Sequence, residues 1–477
     1  MARPEFDIVV IGGGSGGLVV AAGGSALGAK VALVERHRLG GDCLWTGCVP
    51  SKALLRSARA AHEMRQAARF GLAPADPQPD LAQVMARVRS VIAAIEPHDS
   101  PERFRALGVD VIFGDGRFVA SDAFEVDGRR LTARTFVIAT GSRPAVPPIP
   151  GLDRVPFLTN ETLFDLREDV PALAVIGGGP VGVEMAQAFR RLGSAVTLVE
   201  MGPALLPRED RDVAAVVAAQ LERDGVTVLC GTTVARASGT ARDVELVLRT
   251  GDTQRALAAT HVLVATGRTP NVDTLGLDAA GVAVERGRLV LDDRLRTTQR
   301  HIFAVGDAAG GPQFTHVAEQ HAGVVLRHAI FRMGWAKPST AIPWCTYTDP
   351  ELARVGLSED EAKSRGMDHR VYRFPFADVD RAQADGETEG FAKLVTAPDG
   401  RILGAAIVGA QAGELIAEYT LALTHGMKAD AVSGTIHAYP TLASVSRRAA
   451  DQRQKERLTP AARRWIQRLF RLQGSRT

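Results

Sequence analysis

One pattern occurs twice in this chain: an apolar strand, a glycine-rich loop and an alanine-rich helix. The run Phe6-Asp-Ile-Val-Val-Ile11 leads into a GxGxxG loop at residues 12–17, and the run Ala172-Leu-Ala-Val-Ile176 leads into a second GxGxxG loop at residues 177–182. Glycines at these positions allow a tight turn and let a pyrophosphate approach the start of the following helix. A single GxGxxG is weak evidence, because ordinary α/β packing also uses glycine-rich turns. Its repetition in matching contexts predicts two dinucleotide-binding sites.

An acidic residue completes each copy of the pattern. Glu35 follows the second strand of the first copy, and Glu200 follows the second strand of the second copy. A carboxylate about 20 residues after the glycine loop can accept a hydrogen bond from a ribose 2′-hydroxyl. At Glu200 it would also repel the additional 2′-phosphate of NADPH, so we expect the second site to prefer NADH.

The similarity between the two copies continues in two later segments. Thr140-Gly141 and Thr266-Gly267 each end an apolar strand with the letters Ala-Thr-Gly, and Asp307 follows a third strand and a glycine. An aspartate in that place can accept a hydrogen bond from a cofactor's ribitol hydroxyl. Two dinucleotide sites imply two cofactors, one fixed and one exchangeable. Electron transfer from nicotinamide to flavin is the simplest use of such a pair.

The length of the chain, 477 residues, suggests roughly three domains. A proline-rich stretch at 144–150 separates the first nucleotide domain from the second, and the segment around Asp307 would return to the first. We therefore predict an α/β fold with two Rossmann-like dinucleotide-binding domains followed by an α+β domain. The predicted limits are 1–148 with 268–338, 149–267, and 339–449, with a basic tail at 450–477.

A pair of cysteines is the most informative local feature. Cys43 and Cys48 follow the first copy of the pattern by a few residues, which places them beside the cofactor held there. A helix N-terminus and the nearby cation Lys52 would lower the pKa of a thiol and favour the thiolate. One sulfur could then attack a substrate while the other faces a flavin. Half of a zinc site is the other interpretation, but the spacing and the missing second CxxC disfavour it, and we assign no metal ligands.

Residues 40–52, Gly-Gly-Asp-Cys-Leu-Trp-Thr-Gly-Cys-Val-Pro-Ser-Lys, resemble the redox motif of the FAD-dependent pyridine nucleotide–disulfide oxidoreductases. This family includes dihydrolipoamide dehydrogenase, glutathione reductase and mercuric reductase. Asp42 stands where threonine is common in the family, and the resemblance extends over nearly the whole chain. It implies FAD at the first site and a nicotinamide dinucleotide at the second. It also implies an ion pair between Lys52 and Glu184 near the flavin, and a homodimer formed through the third domain.

The C-terminal part of the resemblance departs from the family. Disulfide reductases of this kind carry a His-Pro-Thr-x-x-Glu motif, in which a histidine from the partner subunit is the acid/base and the glutamate orients it. Here the residue before the proline is Tyr439, and the glutamate position is Ser444. His437 lies two residues before Tyr439, and no carboxylate follows to hold it. We therefore expect both members of the dyad to be lost, which disfavours lipoamide and glutathione chemistry, and we expect Tyr439 to act as a hydrogen-bond donor.

Mercuric reductases resemble this chain in having tyrosine in that region, and residues 96–104 are also similar to relatives of those enzymes. They deliver the metal through a C-terminal pair of cysteines, whereas the last cysteine here is Cys345. A soft metal would have to reach Cys43 and Cys48 unaided.

These motifs and the resemblance together define the candidate residues. The candidate catalytic residues are Cys43, Cys48, Lys52, Glu184, His437 and Tyr439. The candidate cofactor-binding residues are Gly12, Gly14, Gly17, Glu35, Lys52, Gly116, Thr140, Gly141, Gly177, Gly179, Gly182, Glu200, Gly267 and Asp307.

Charge is unevenly distributed along the chain. Residues 450–477 carry eight basic and two acidic side chains, so this tail is +6 within a total of +3, and the remainder is −3. A mildly acidic body argues against nucleic-acid binding. In the tail, an apolar side of a predicted amphipathic helix lies beside arginines and comprises Trp465, Ile466, Leu469 and Leu472. Docking of this helix on the dimer is the simplest interpretation, and an anionic lipid surface is an alternative, as are nucleic-acid and protein partners.

The first residues show no signal peptide, and the chain has no apolar run of about 18 residues. We expect a cytoplasmic protein that is at most peripherally associated with a membrane. Its predicted function is hydride transfer from NADH through flavin to a Cys43–Cys48 disulfide and on to a small acceptor: a soft metal, a quinone or a disulfide. Dihydrolipoamide dehydrogenase-type chemistry and a non-catalytic NADH-responsive flavoprotein are the alternatives.

Overall fold

A computed structural model describes residues 3–473 of the chain. The structure divides into two compact units. The first comprises Met1–Arg65, Asp76–Val199 and Thr232–Ser339, and the second comprises Gln66–Ala75, Glu200–Gly231 and Thr340–Thr477. Within the described residues, no helix has both the length and the apolar character needed to span a bilayer.

The first unit contains both glycine loops. Its α-helices are Ser15–Ala26, Gly41–Trp45, Cys48–Arg65, Leu81–Ile95, Pro101–Ala106, Pro180–Arg191, Leu277–Ala280 and Thr315–Ala329. Its strands are Phe6–Ile11, Val31–Glu35, Asp110–Phe113, Gly116–Ala120, Ala123–Val126, Arg129–Ile138, Ser142–Pro144, Ala172–Ile176, Ala195–Val199, Thr232–Thr240, Asp243–Thr250, Thr253–Ala259, His261–Val264, Arg268–Pro270, Val284–Glu285, Arg288–Leu289 and Ile302–Ala304.

A parallel sheet carries the first glycine loop. Its strand order is Asp110–Phe113, Val31–Glu35, Phe6–Ile11, Arg129–Ile138 and Ile302–Ala304. These strands are rich in valine and isoleucine, whose branched side chains suit a sheet that is buried on both faces. The last strand comes from far along the chain, as predicted for the segment that contains Asp307.

Alternate residues of the central strand pack into two different cores. Ile8 and Val10 belong to the core on one face, and Val9 and Ile11 belong to the core on the other. Each of these fully buried side chains contributes about 1.5–3 kcal/mol to folding. Gly116 begins a strand of the hairpin beside this sheet, where a side chain would approach the ring of Phe124 to 2.3 Å. The structure thus gives this predicted cofactor residue a packing reason to be glycine.

A second parallel arrangement in the first unit carries the second glycine loop. Ala172–Ile176 pairs with Ala195–Val199 on one side and with His261–Val264 on the other. The long strands Thr232–Thr240 and Asp243–Thr250 form a separate antiparallel sheet with a third strand. The pattern that occurs twice in the sequence therefore corresponds to two parallel sheets, each with a glycine loop after one of its strands.

The second unit is built on a five-stranded antiparallel sheet. In spatial order its strands are Pro343–Thr346, Glu351–Gly356, Ile402–Gly409, Phe391–Thr396 and Arg370–Pro375. The unit also contains the strand Thr227–Leu229 and the helices Arg211–Arg223, Glu359–Ser364, Asp380–Asp385, Ala412–Thr424, Ala429–Gly434, Ser444–Arg457 and Pro460–Leu469. The mixed α/β class with an α+β C-terminal region is confirmed.

The tail contains the helix expected from its periodicity. Thr459 accepts a hydrogen bond from the backbone N–H of Ala462 (3.1 Å), and Pro460 takes the first helical position, where its missing N–H is no loss. None of the residues in Pro460–Leu469 is buried, so residues 3–473 leave its apolar side uncovered. Residues 474–477 of the predicted tail lie outside the described residues.

Candidate active site

The first glycine loop forms a tight turn with an open front. Gly12 has φ of +109°, a conformation that favours glycine, and a side chain there would lie 2.4 Å from the backbone oxygen of Ala139. A side chain at Gly17 would lie 1.9 Å from the backbone oxygen of Gly12. At Gly14, by contrast, a side chain would meet only the Cα of Gly41, at 3.8 Å. The N-terminus of the following helix is therefore accessible to a pyrophosphate, and the loop fits a dinucleotide.

The second loop reproduces this geometry. Gly177 has φ of +112°, and a side chain there would lie 2.5 Å from the backbone oxygen of Ala265. A side chain at Gly182 would lie 1.9 Å from the backbone oxygen of Gly177, and one at Gly179 would meet nothing within 4 Å. Helix Pro180–Arg191 begins at this loop, so its N-terminus offers a second place for a pyrophosphate.

The two acids that follow these loops are both held by backbone N–H groups. Glu35 accepts a hydrogen bond from Gly13 N (2.7 Å) and another from His37 N (2.8 Å). The Glu35 carboxylate is thus fixed at the glycine loop, where a ribose would lie beside it. Glu200, in the second unit, accepts a hydrogen bond from Gly202 N (2.5 Å).

Asp307 lies in the 3₁₀ turn that follows the edge strand of the first sheet. Ser142 donates its hydroxyl to Asp307 Oδ2 (2.5 Å), and Arg268 Nε lies 3.5 Å from the same oxygen. Burial raises the pKa of Asp307, while these two partners oppose the rise. A half-buried carboxylate that is held in this way suits the predicted contact with a ribitol hydroxyl.

The Ala-Thr-Gly segments lie where the chain passes between the two nucleotide-binding halves of the first unit. Thr140 donates its hydroxyl to the backbone oxygen of Asn271 (2.6 Å), and the backbone oxygen of Gly141 accepts a hydrogen bond from Asn271 N (3.0 Å). Gly267 has φ of +119° and directly precedes the strand Arg268–Pro270, which pairs with the strand that follows Gly141. These residues therefore fix the course of the backbone beside Asp307.

The two cysteines lie on consecutive helices of the first unit. Cys43 belongs to the short helix Gly41–Trp45, and Cys48 is the first residue of Cys48–Arg65; both thiols are free. Thr315 Oγ1 lies 3.5 Å from Cys48 Sγ. Among residues 3–473, no group of three or more His, Cys, Asp and Glu side chains is arranged to hold a metal ion.

The surroundings of the cysteines separate their pKa values. Interaction with the Cys43 thiol is the main cause that lowers the pKa of Cys48, to about 6, with Thr315 and the charge of Lys52 helping and burial opposing. The pKa of Cys43 is raised, chiefly by its hydrogen bond to Cys48 and by burial. The pair therefore holds one proton on Cys43 and a thiolate at Cys48 near neutral pH. The predicted effect of Lys52 is present but secondary.

Lys52 and Glu184 form an ion pair, as the resemblance implied. Lys52 Nζ donates to Glu184 Oε2 at 3.0 Å, and only 6% of the Glu184 side chain is exposed. Lys52 lies one helical turn after Cys48 on the same helix, and Glu184 lies on the helix that follows the second glycine loop. The pair joins the thiol helix to the second nucleotide-binding half.

A cavity of ≈ 290 Å³ reaches one of the two thiols. Its walls include Cys43, the side chains of Leu18 and Ile95, and the carboxylates Asp99 and Glu319. Burial raises the pKa of Asp99. Cys43 therefore lines this cavity, whereas Cys48 is the more exposed of the two cysteines and carries the thiolate.

The C-terminal segment holds a histidine–carboxylate pair that the sequence reading missed. His437 Nε2 lies 2.9 Å from Glu418 Oε1, and Nδ1 lies 2.9 Å from the backbone oxygen of Thr435. The expectation that no carboxylate holds His437 is wrong, because Glu418 comes from the preceding helix Ala412–Thr424 and not from the residues that follow. The side chain of His437 is only 8% exposed, so this imidazole is an internal group of the unit.

Tyr439, unlike His437, is exposed. It is 76% exposed, and its hydroxyl donates to Asp380 Oδ2 (3.0 Å). The hydrogen bond to Asp380 raises the pKa of Tyr439, so the phenol stays protonated at neutral pH. The neighbouring Ile436 is 94% exposed. Tyr439 is therefore an accessible donor on an apolar, uncovered stretch of this chain.

Several site residues were not predicted from the sequence. Thr315, Asp99 and Arg268 carry no motif of their own, and each contacts the site from a distant part of the chain. The position of Thr315 at the start of the helix that follows Asp307 is the one local signal that pointed towards it.

Comparison with protein families gives two matches. A family model described as pyridine nucleotide-disulphide oxidoreductase matches residues 6–322, and a model of the dimerisation domain of the same oxidoreductases matches residues 342–450. Together the two matches cover most of the chain. The resemblance found in the motifs is confirmed, and the dimerisation match supports a homodimer.

Similarity to individual proteins supports the same family assignment. The chain is 35% identical to a mercuric reductase of Bacillus cereus over 92% of this chain and 70% of that protein. It is 37% identical to a dihydrolipoyl dehydrogenase of Chlorobaculum parvum, over 94% and 96% of the two chains. Among solved structures, the HOCl-induced flavoprotein disulfide reductase RclA from Escherichia coli superposes with a TM-score of 0.81 at 29% identity, covering 93% of this chain and 99% of RclA.

Proposed function

This chain belongs to the pyridine nucleotide-disulphide oxidoreductase family, and we propose that it passes electrons from NADH through bound FAD to the Cys43–Cys48 pair and on to a small acceptor. FAD would be held by the first glycine loop, Glu35 and Asp307, and NADH by the second loop. When bound, FAD supplies two-electron exchange between the nicotinamide and the disulfide. The observation that carries the proposal is the division of roles between the two thiols.

The reduction of the disulfide balances with the groups present. Opening the Cys43–Cys48 bond takes one hydride equivalent, which is two electrons and one proton, and yields a Cys43 thiol and a Cys48 thiolate. The pKa of Cys48, lowered to about 6, and the raised pKa of Cys43 suit this distribution. Lys52 adds a positive charge near the Cys48 thiolate, and Glu184 orients that lysine.

Transfer to the acceptor would begin at Cys43, because this residue lines the cavity. The cavity wall combines apolar side chains with Asp99 and Glu319, which suits a small uncharged or cationic acceptor. A disulfide, a quinone and a soft metal all remain within the proposal. Tyr439, which the resemblance places at the dimer interface, would donate a hydrogen bond to the acceptor at the place where the family's histidine acts as acid/base.

The decisive experiment is an anaerobic titration of the purified holoenzyme with NADH. A thiolate beside oxidised flavin gives a long-wavelength absorption band, and we expect this band in the wild type and in Cys43→Ser, but not in Cys48→Ser. Turnover with lipoamide, a quinone and Hg(II) then ranks the acceptors. Absence of the band in the wild type, or its survival in Cys48→Ser, would contradict the relay.

The preference for NADH over NADPH rests on Glu200. Its carboxylate follows the second strand of the second nucleotide-binding half, where it can bind the ribose 2′-hydroxyl and repel a 2′-phosphate. We expect Glu200→Ala to lower the ratio of kcat/KM for NADH to kcat/KM for NADPH by about tenfold, mainly through changes in KM. An unchanged ratio would remove Glu200 from the determinants of cofactor choice.

The tail helix supports a separate proposal, contact with an anionic lipid surface. Trp465 and Leu469 are 63% and 55% exposed on one side of Pro460–Leu469, and Arg464 and Arg468 flank them. Such a helix suits the boundary of a negatively charged bilayer. Co-sedimentation with phosphatidylglycerol vesicles should be lost in Trp465→Ala/Leu469→Ala, which keeps the charges. Equal sedimentation of the wild type and a chain truncated at Leu458 would disprove the contact.

A further inference from the structure

Asp42 is the residue of the redox motif that departs from the family, in which threonine is common. It lies in the helix Gly41–Trp45, directly before Cys43. A carboxylate at this point introduces a negative charge beside two thiols, one of which must become a thiolate. This charge requires compensation, and the structure provides it.

One oxygen of Asp42 holds the turn between the two cysteines. Thr46 donates its hydroxyl to Asp42 Oδ1 (2.5 Å), and Asn160 donates its side-chain N–H to the same oxygen (2.9 Å). Asn160 also donates to the backbone oxygen of Thr46 (3.2 Å). Asp42 therefore closes the segment that joins Cys43 to Cys48 and attaches it to residue 160.

The other oxygen of Asp42 faces a shared guanidinium. Arg268 Nη2 lies 3.3 Å from Asp42 Oδ2, and Arg268 Nε lies 3.5 Å from Asp307 Oδ2. Arg268 also donates to the hydroxyl of Ser142 (2.7 Å), and its side chain is only 18% exposed. One arginine thus connects the thiol segment to the carboxylate proposed to hold the flavin's ribitol.

We propose that Asp42 is a positioning residue of the relay: it ties the Cys43 helix to Arg268 and places a negative charge beside both thiols. This inference rests on the proposed function, because it concerns the balance between disulfide and dithiol at that site. Arg268 offsets part of this charge, and the remainder would make the Cys48 thiolate less stable than it would be beside a neutral residue. The carboxylate would consequently shift the equilibrium between disulfide and dithiol towards the disulfide.

The electrostatic direction agrees with this geometry. The pKa of Cys48 is set mainly by Cys43, but Asp42 acts on it in the raising direction, against Lys52. Asp42 acts in the same direction on Cys43, whose pKa is raised chiefly by Cys48 and burial. Removal of the carboxylate should thus favour the thiolate and the reduced pair.

The test uses reduced holoenzyme and two measurements. The first is the pH dependence of iodoacetamide alkylation at each cysteine, followed by mass spectrometry, and the second is the equilibrium between disulfide and dithiol in NADH/NAD⁺ mixtures. In Asp42→Asn, we expect the alkylation inflection to move to lower pH. We expect the equilibrium to shift about three- to tenfold towards the dithiol, as removal of one partly screened charge predicts. Asp42→Glu, which keeps the charge, should restore wild-type values.

The matched control is Asp110→Asn, which removes an exposed carboxylate that also pairs with an arginine, Arg129, at the first residue of the strand Asp110–Phe113. It should change neither measurement. Wild-type values in Asp42→Asn, with FAD still bound, would overturn the role of Asp42. If the wild type itself shows no reduction of the disulfide by NADH, the proposed function fails instead, and the two failures are distinguishable.

Discussion

The thiol centre in the first unit and the segment 436–441 in the second unit differ in how many of the family's motif residues they retain. At the thiol centre, both cysteines are present, and Lys52 and Glu184 form the ion pair that the resemblance implies. At 436–441, the family's histidine is replaced by an exposed Tyr439, while His437 is buried against Glu418.

This difference separates two parts of the reaction. In the proposed relay, delivery of electrons from NADH would depend on the glycine loops, the cysteines and the Lys52–Glu184 pair, which all lie in the first unit. Proton exchange with the acceptor depends in the family on the segment that has changed here. The comparison therefore predicts an enzyme with an ordinary reductive half-reaction and an altered choice of acceptor.

The largest effect should come from the Lys52–Glu184 pair. In Glu184→Gln, Lys52 loses its buried carboxylate, and we expect the rate constant for reduction by NADH to fall about 10–100-fold, since the pair shapes the electrostatics around the reacting groups. Stopped-flow absorbance measures this rate constant directly. The control is Glu63→Gln, which breaks the exposed Arg59–Glu63 pair on the same helix and should leave the rate constant unchanged. Equal rate constants in the wild type, Glu184→Gln and Glu63→Gln would show that the Lys52–Glu184 pair has no role in reduction by NADH.

A smaller effect, confined to the other half-reaction, should come from Tyr439. Tyr439→Phe removes one exposed hydroxyl, so we expect acceptor turnover to fall about tenfold while the rate of reduction by NADH stays the same. Tyr372→Phe is a matched control, because its phenol also donates to a carboxylate, Glu456 (2.6 Å), within the second unit. A loss of the NADH step in Tyr439→Phe would show that the two regions are not functionally separate.

Sequence reasoning was most direct where the local structure depends on spacing along the chain. The glycine loops, the C-x4-C pair and the tail helix all occupy short segments whose periodicity or composition has a direct structural meaning. The Lys52–Glu184 pair joins residues 132 positions apart and came from the resemblance rather than from spacing.

Contacts between distant segments were beyond the reach of the sequence. Thr315 meets Cys48 across 267 positions, and Arg268 meets Asp42 only because the chain returns to the first half after forming the second. The Glu418–His437 pair was missed for a different reason. The carboxylate was sought five positions after the motif's histidine, whereas a helix packed beside the segment supplies it from 19 positions earlier.

The smallest expected effect tests whether the His437–Glu418 pair is structural. His437→Asn would leave Glu418 without its buried partner, at a cost of about 1–2 kcal/mol, because a mostly buried hydrogen bond is lost. Thermal unfolding should then shift down by about 2–4 °C, with a similar shift in Glu418→Gln, while turnover of the folded enzyme changes less than about twofold. If His437→Asn instead abolished acceptor turnover at an unchanged melting temperature, His437 would be the acid/base. The second unit would then have kept its dyad in a new arrangement, and the contrast between the two regions would disappear.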